Sequence, residues 1–211
     1  KLMIADLGDS ADCNYELSTK DDLEKAGSIA GQHAEVSTCV VDVTDAASCQ
    51  HAVEQTVDRF GRIDVLINNA GVVQSGPILE FPEEDWDRLF AVNTKGIFLM
   101  TKAALPELSK SSNAAIVNTA SIAGKKGHPN MAAYCGSKFA AIGITQSLAA
   151  ELAPEGIRVN AICPGVVGTA MWLEHLMPSN TTDEAEKNEN FEQAMATTIP
   201  LGRPQTVEDM G

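Results

Sequence analysis

Asp64-Val-Leu-Ile-Asn-Asn-Ala-Gly71 decides the fold. Val65 to Ile67 is a short, unbroken apolar run, which reads as a strand buried on both faces. Asn68-Asn69-Ala70-Gly71 stops it at once with turn-forming residues. Upstream, Leu2–Asp6 and Val36–Val41 are similar short runs, each closing near an acid, Asp6 and Asp42. Downstream, Ala115–Asn118 and Ile157–Ile162 repeat the pattern, ending near Ser121 and at Cys163-Pro164-Gly165. Between the runs lie helix-compatible segments: Asp21 to Gln32, a segment capped by Thr44 and running to Phe60, Glu83 to Leu108 across Asn93, and 131 to 153. Residues 8–20 read as a loop, and Pro154-Glu-Gly156 as a helix stop.

Strands alternating with helices predict βαβ units, right-handed crossovers and a parallel sheet covered on both faces. The expected architecture is α/β: a doubly wound three-layer αβα domain spanning residues 1–211, with no internal repeat. Ligands of such sheets sit beyond the carboxyl ends of the strands, and every polar motif here follows a strand. Residues 170–200 run from an apolar start (Met171-Trp172-Leu173) through a polar stretch to Pro200. A long excursion of that kind over the sheet edge predicts a substrate lid.

Composition narrows the partners. The 211 residues are 44% hydrophobic and 21% charged, enough for one sizeable core. A net charge of −14 argues against nucleic acid and against an anionic membrane surface. No apolar run is long enough to span a bilayer. Five cysteines, an odd number without a C-x-x-C pair, point to reduced thiols and a cytoplasmic setting. No group of Cys, His or carboxylates has metal-ligand spacing, so no metal is expected. Of the four histidines, three read as surface residues and only His128, seven residues after Ser121, stands where it could face a substrate.

Tyr134 and Lys138 stand four residues apart, on one face of the helix expected there. An ammonium beside a phenol favours the phenolate and lowers the phenol pKa, which suits it to general acid–base work on an alcohol or carbonyl oxygen.

Taken in order, Asp6, Asp42-Val43, Asn68-Asn69-Ala70-Gly71, Asn93 in Val-Asn-Thr-Lys-Gly, Ser121 in Thr-Ala-Ser-Ile-Ala-Gly, Tyr134-x-x-x-Lys138 and Pro164-Gly-Val-Val-Gly-Thr169 resemble the short-chain dehydrogenase/reductase family. The resemblance runs from Lys1 to Gly211 and implies a Rossmann-like domain that binds NAD. By that resemblance Asp6 takes the adenosine ribose hydroxyls and disfavours a 2′-phosphate. Asp42 and Val43 flank the adenine, Asn69, Ala70 and Gly71 line the nicotinamide-side ribose, and Pro164, Gly165, Val167 and Thr169 hold the carboxamide.

The resemblance also implies a catalytic tetrad of Asn93, Ser121, Tyr134 and Lys138. Tyr134 is the acid or base, Lys138 supports it and bonds the nicotinamide ribose, Ser121 donates to the substrate oxygen, and Asn93 holds a relay water. The implied substrate is a small-molecule secondary alcohol or ketone. Pro164 to Trp172 reads like acetoin/butanediol and polyol dehydrogenases. A 3-oxoacyl thioester reductase and a non-catalytic dinucleotide sensor are the alternatives. Family habit implies a homo-oligomer, a homotetramer or dimer, built through the two long helices.

Two departures stand out. The family's first strand and Gly-rich turn are not found, so the sequence is expected to be part of a longer protein; an intact mass near 22.3 kDa would contradict that. The stretch between Asp6 and Asp42 is extended around Asn14–Leu23, resembling an insertion in a subgroup that holds its cofactor tightly.

Overall fold

A computed structural model of the protein describes residues 1–8, 17–169, 171–176 and 183–210. The five expected strands form: β1 (Leu2–Asp6), β2 (Val36–Val40), β3 (Val65–Asn68), β4 (Ala115–Thr119) and β5 (Arg158–Ile162). All pairings are parallel, as the α/β expectation requires. They divide into a pair, β1-β2, and a trio, β3-β4-β5. Ala5 and Asp6 of β1 share a cavity wall with Leu66, Ile67 and Asn68 of β3, so these two strands flank one space. Ile67, predicted to be buried on both faces, is accordingly 59% exposed.

Among the described residues the α-helices are α1 (Lys20–Ala30), α2 (Ala46–Phe60), α3 (Glu83–Phe90), α4 (Gly96–Leu108), α5 (Ala132–Leu152) and α6 (Glu184–Thr198). Helix α1 packs on the β1-β2 pair, α2 on α4, and α4 and α5 on the trio. Leu108, Ile116 and Leu152 are fully enclosed there, with Val53 and Val159 completing the main core. The sequence is poor in aromatics, and this core is aliphatic throughout.

Caps explain where the helices begin. Thr19 starts α1 through a reciprocal capping box with Asp22. For α2 the expected cap, Thr44, is corrected to Asp45. The Asp45 carboxylate has an oxygen each for the Ala47 and Ser48 N–H groups, whereas the Thr44 hydroxyl donates to Asp42 Oδ1 at 2.7 Å. The stop after α5 is a 3₁₀ turn, Ala153–Glu155, closed by Gly156 at φ 74°.

The long helix expected over 83–108 is continuous but widens into a π turn at Ala91–Lys95. Arg88, Val92, Gly96 and Met100 all line the same cavity. Twelve residues of ideal α-helix would carry Arg88 and Met100 about 120° apart around the axis. One extra residue in a π turn takes back about 100°, which keeps the four on one wall. Asn93 sits in that widened turn.

Of the expected lid, residues 170 and 177–182 lie outside the described residues. Met171–Leu176 forms a π-helical turn, and α6 buries Phe191 and Met195 against Val166. Gly168 leaves room for the Phe191 ring, since a Cβ there would meet it at 3.2 Å.

Candidate active site

The sheet edge gathers the polar motifs as expected. Ser121 follows β4 and caps the 3₁₀ turn Ile122–Gly124, its Oγ accepting from Ala123 N at 3.1 Å. Tyr134 lies in the first turn of α5 and Lys138 one turn later, both buried. The Ser121 hydroxyl lies near enough to the Tyr134 phenol to draw its pKa down. Lys138 Nζ stands 5.8 Å from the Tyr134 ring centroid and donates to Thr119 O at 2.9 Å.

Electrostatics here corrects one expectation. Burial pushes the Tyr134 phenol above its ordinary value of 10.0, while the Ser121 hydroxyl pulls the other way. The phenol is therefore not lowered by Lys138, as the spacing suggested. The ammonium is turned toward Thr119, and burial brings its own pKa down to about 8.

Three bonds anchor the Asn93 side chain: Nδ2 donates to Val72 O at 2.9 Å and to Ser137 Oγ at 3.0 Å, and Oδ1 accepts from Val72 N at 2.8 Å. Ser137, fully buried, donates onward to Tyr134 O at 2.8 Å. The chain Val72–Asn93–Ser137–Tyr134 thus ties the loop after β3 to the helix that carries the phenol.

A cavity of about 340 Å³ opens beside these groups. Asp6, Asp42, Val43, Asn69, Ala70 and Gly71, all singled out from sequence, line it. Asp6 Oδ1 accepts from Gly8 N, and Asp42 Oδ1 is held by Thr44. At Gly71 the wall has no spare room: a Cβ would lie 3.3 Å from both Lys138 Nζ and Asn93 Oδ1. Lys138 and Asn93 therefore stand immediately behind this end of the cavity. Pro164, Gly165, Val167 and Thr169 do not line it. They lie past β5 beside the Ser121 turn, joined to it by the bond from Ile122 N to Pro164 O at 3.0 Å.

Several residues that support the site were missed. Gln205 pairs with the 164–169 segment, its amide oxygen accepting from Gly165 N and its N–H donating to Val166 O. Asn68 Nδ2 donates to Asn118 Oδ1 at 2.9 Å, and Asn118 Nδ2 to Thr145 Oγ1 at 2.9 Å, joining β3, β4 and α5 below the site. Gly124 would place a Cβ only 2.6 Å from Lys138 O. His128 is exposed; His33 and His51 are surface residues as expected, and the His175 side chain lies outside those described. Among the described residues no cluster could hold a metal ion, and no helix is long and apolar enough to cross a membrane.

Comparison with known proteins agrees with the geometry. L-2,3-butanediol dehydrogenase of Corynebacterium glutamicum is 40% identical over 171 residues, covering 81% of this chain and 66% of its own length, just under two thirds. The structure of carveol dehydrogenase from Mycobacterium avium in complex with NAD superposes with a TM-score of 0.86 at 26% identity, covering 97% of this chain and 76% of that one. NAD+-bound xylitol dehydrogenase gives 0.82 at 33% identity, covering 99% and 78%. The profile of the short chain dehydrogenases matches residues 9–178, which includes Asn93, Ser121, Tyr134 and Lys138, and the chain belongs to the short chain dehydrogenase family.

Proposed function

We propose that this chain carries the catalytic site of an NAD(H)-dependent oxidoreductase that interconverts a secondary alcohol and a ketone. The observation that carries this is the clustering of Ser121, Tyr134, Lys138 and Asn93, the last two directly behind Gly71 in the wall of a cavity that also holds Asp6. A dinucleotide fits that cavity by chemistry: a carboxylate, Asp6, for ribose hydroxyls, and a glycine, Gly71, where backbone must approach closely. Leu7 and Gly8 follow Asp6, so no arginine is adjacent to receive a 2′-phosphate, which favours NAD(H) over NADP(H).

When bound, the nicotinamide supplies hydride acceptance and donation. The protein handles the proton. Tyr134 takes it from the substrate hydroxyl during oxidation and returns it to the carbonyl oxygen during reduction. Ser121 donates a hydrogen bond to that oxygen as charge develops. Lys138 contributes positive charge behind the phenol. Asn93 and Ser137 keep the helix and the loop in register.

The substrate reading is a short diol or polyol, as the names of the butanediol and xylitol relatives suggest. Met171 and Leu176 pack with Met131 on the cluster containing Tyr134. That apolar flank favours a diol with a hydrocarbon end over a fully hydroxylated chain, and it fits residues 170–200 as a lid. Cys39, Cys49, Cys135 and Cys163 are free thiols, which suits the cytoplasm. Phe98 (52% exposed) and Phe139 (48%) lie on the two long helices, a face suited to a homodimer or tetramer.

The test is a screen of short diols, polyols and simple secondary alcohols with NAD and with NADP, followed by the absorbance of the reduced cofactor. Turnover with NAD and a short diol is expected. No turnover with any alcohol, by a protein that binds NADH, would overturn the enzymatic reading.

A further inference from the structure

We propose that Arg88 is a diphosphate-binding residue of the dinucleotide site; this deepens the cofactor reading above and rests on it. Among the described residues lining the cavity, Arg88 is the one cation. The same cavity is also lined by Asp6 and Asp42, in a chain of net charge −14. A dinucleotide brings two further negative charges into this acidic surrounding, and some group must offset them.

Arg88 is held ready for that. It sits one helical turn before Val92, facing the cavity beside the loop Asn69–Val72. One arm is anchored: Nη2 donates to Asp85 Oδ1 at 2.6 Å, three residues back in the same helix. Nε, by contrast, is buried and has no hydrogen-bond partner among the described residues. A buried N–H of a guanidinium without an acceptor costs stability unless a ligand supplies one. A phosphate oxygen is the natural acceptor, since the planar fork of arginine matches phosphate geometry.

The simpler role for Arg88 is only to close the ion pair with Asp85. That role leaves Nε unexplained and does not require the side chain to reach the cavity wall.

The test compares ligands with and without phosphates. Affinities for NADH, ADP and adenosine are measured by calorimetry on the wild type, Arg88→Gln, Arg88→Lys and Asp85→Asn. Arg88→Gln should weaken NADH and ADP tenfold or more and leave adenosine within twofold. Arg88→Lys should recover part of the loss for ADP, and the dependence of ADP binding on salt should flatten in Arg88→Gln. Asp85→Asn, which keeps the guanidinium, should bind ADP at least as tightly as wild type. Equal weakening of adenosine and ADP by Arg88→Gln, unchanged ADP binding, or a loss in Asp85→Asn matching that in Arg88→Gln would each overturn the proposal while leaving the cofactor reading intact. A wild type that binds none of the three ligands would overturn both.

Discussion

Asn93 grips Val72 by both backbone groups, Nδ2 donating to the carbonyl at 2.9 Å and Oδ1 accepting from the N–H at 2.8 Å. The pairing resembles one rung of a sheet, made by a side chain. It holds the chain just past Gly71, where Lys138 Nζ and Asn93 Oδ1 lie close behind the backbone. Asn93→Ala should leave the Val72 N–H and carbonyl without their partner, while the Ser137 hydroxyl keeps its bond to Tyr134 O. Each buried polar group left unpaired costs about 1–3 kcal/mol, so a total loss of roughly 3 kcal/mol is expected in urea denaturation, since some will recruit water. Turnover should fall at least tenfold, because the loop and the phenol lose their common tie. A stability change below about 0.5 kcal/mol, ordinary for surface substitutions, would show that the grip is not structural.

Gly124 is the tightest backbone approach in the site. A methyl group added there would lie 2.6 Å from the Lys138 carbonyl oxygen and 2.9 Å from its carbon. Neither belongs to a flexible side chain, so the 3₁₀ turn and α5 would have to separate. Gly124→Ala should cost about 1–3 kcal/mol, the range for overpacking, and should move Ser121 away from Tyr134. Its signature is a large drop in kcat with little change in NADH affinity. Wild-type kcat in this variant would mean that the turn has more slack than the distances allow.

Lys138 makes a prediction about pH and stability. Burial brings its folded pKa from 10.5 down to about 8, so between those values the unfolded chain holds more protons than the folded one. Linkage then requires stability to rise with pH across that window, the full penalty of the buried charge being carried below about 8. A shift of this size corresponds to about 3 kcal/mol. Other groups titrate nearby, with burial raising Cys39, Cys49 and Tyr134, so the measurement is the difference between wild type and Lys138→Met. That difference should move in favour of wild type from pH 8 to 10.5. A flat difference would show that the ammonium is better solvated than its surroundings indicate.

The sequence was legible where local chemistry decides. Short apolar runs located every strand within a residue or two, because a parallel strand covered on both faces has few polar positions. Acids closing β1 and following β2, and the Asn-Asn-Ala-Gly turn, were found because a sheet edge gathers whatever follows its strands. Long-range geometry was not legible. Nothing in Ala91–Lys95 announces a π turn, which depends on the bonds of Asn93 to Val72 and Ser137. Gln205 lies forty residues from Gly165, to which it is joined, and Arg88 shows its role only once the cavity is seen. The Tyr134 phenol was misjudged for a related reason. Spacing of four residues puts a lysine on the same face, but the carbonyl of Thr119, on another strand, decides where its ammonium points.

Tyr134 is where the catalytic proposal is most exposed to test. The phenol is buried and, despite the opposing pull of Ser121, raised above its ordinary value, so it stays protonated through neutral and mildly alkaline pH. A neutral phenol is the form that protonates a carbonyl oxygen, and a phenolate is the form that accepts a proton from an alcohol. Ketone reduction should therefore hold its rate well into the alkaline range, while alcohol oxidation should climb with pH throughout it. Tyr134→Phe removes the hydroxyl proposed to exchange the proton and keeps the ring in its apolar cluster with Val72 and Leu89. Turnover should fall by a factor of 100 or more, in keeping with the usual contribution of a positioned acid or base, and the residual rate should lose its pH dependence. NADH affinity should stay within a few-fold of wild type, which separates loss of chemistry from loss of the site. Wild-type rates in Tyr134→Phe, or a residual activity that still climbs with pH, would place the proton transfer on another group.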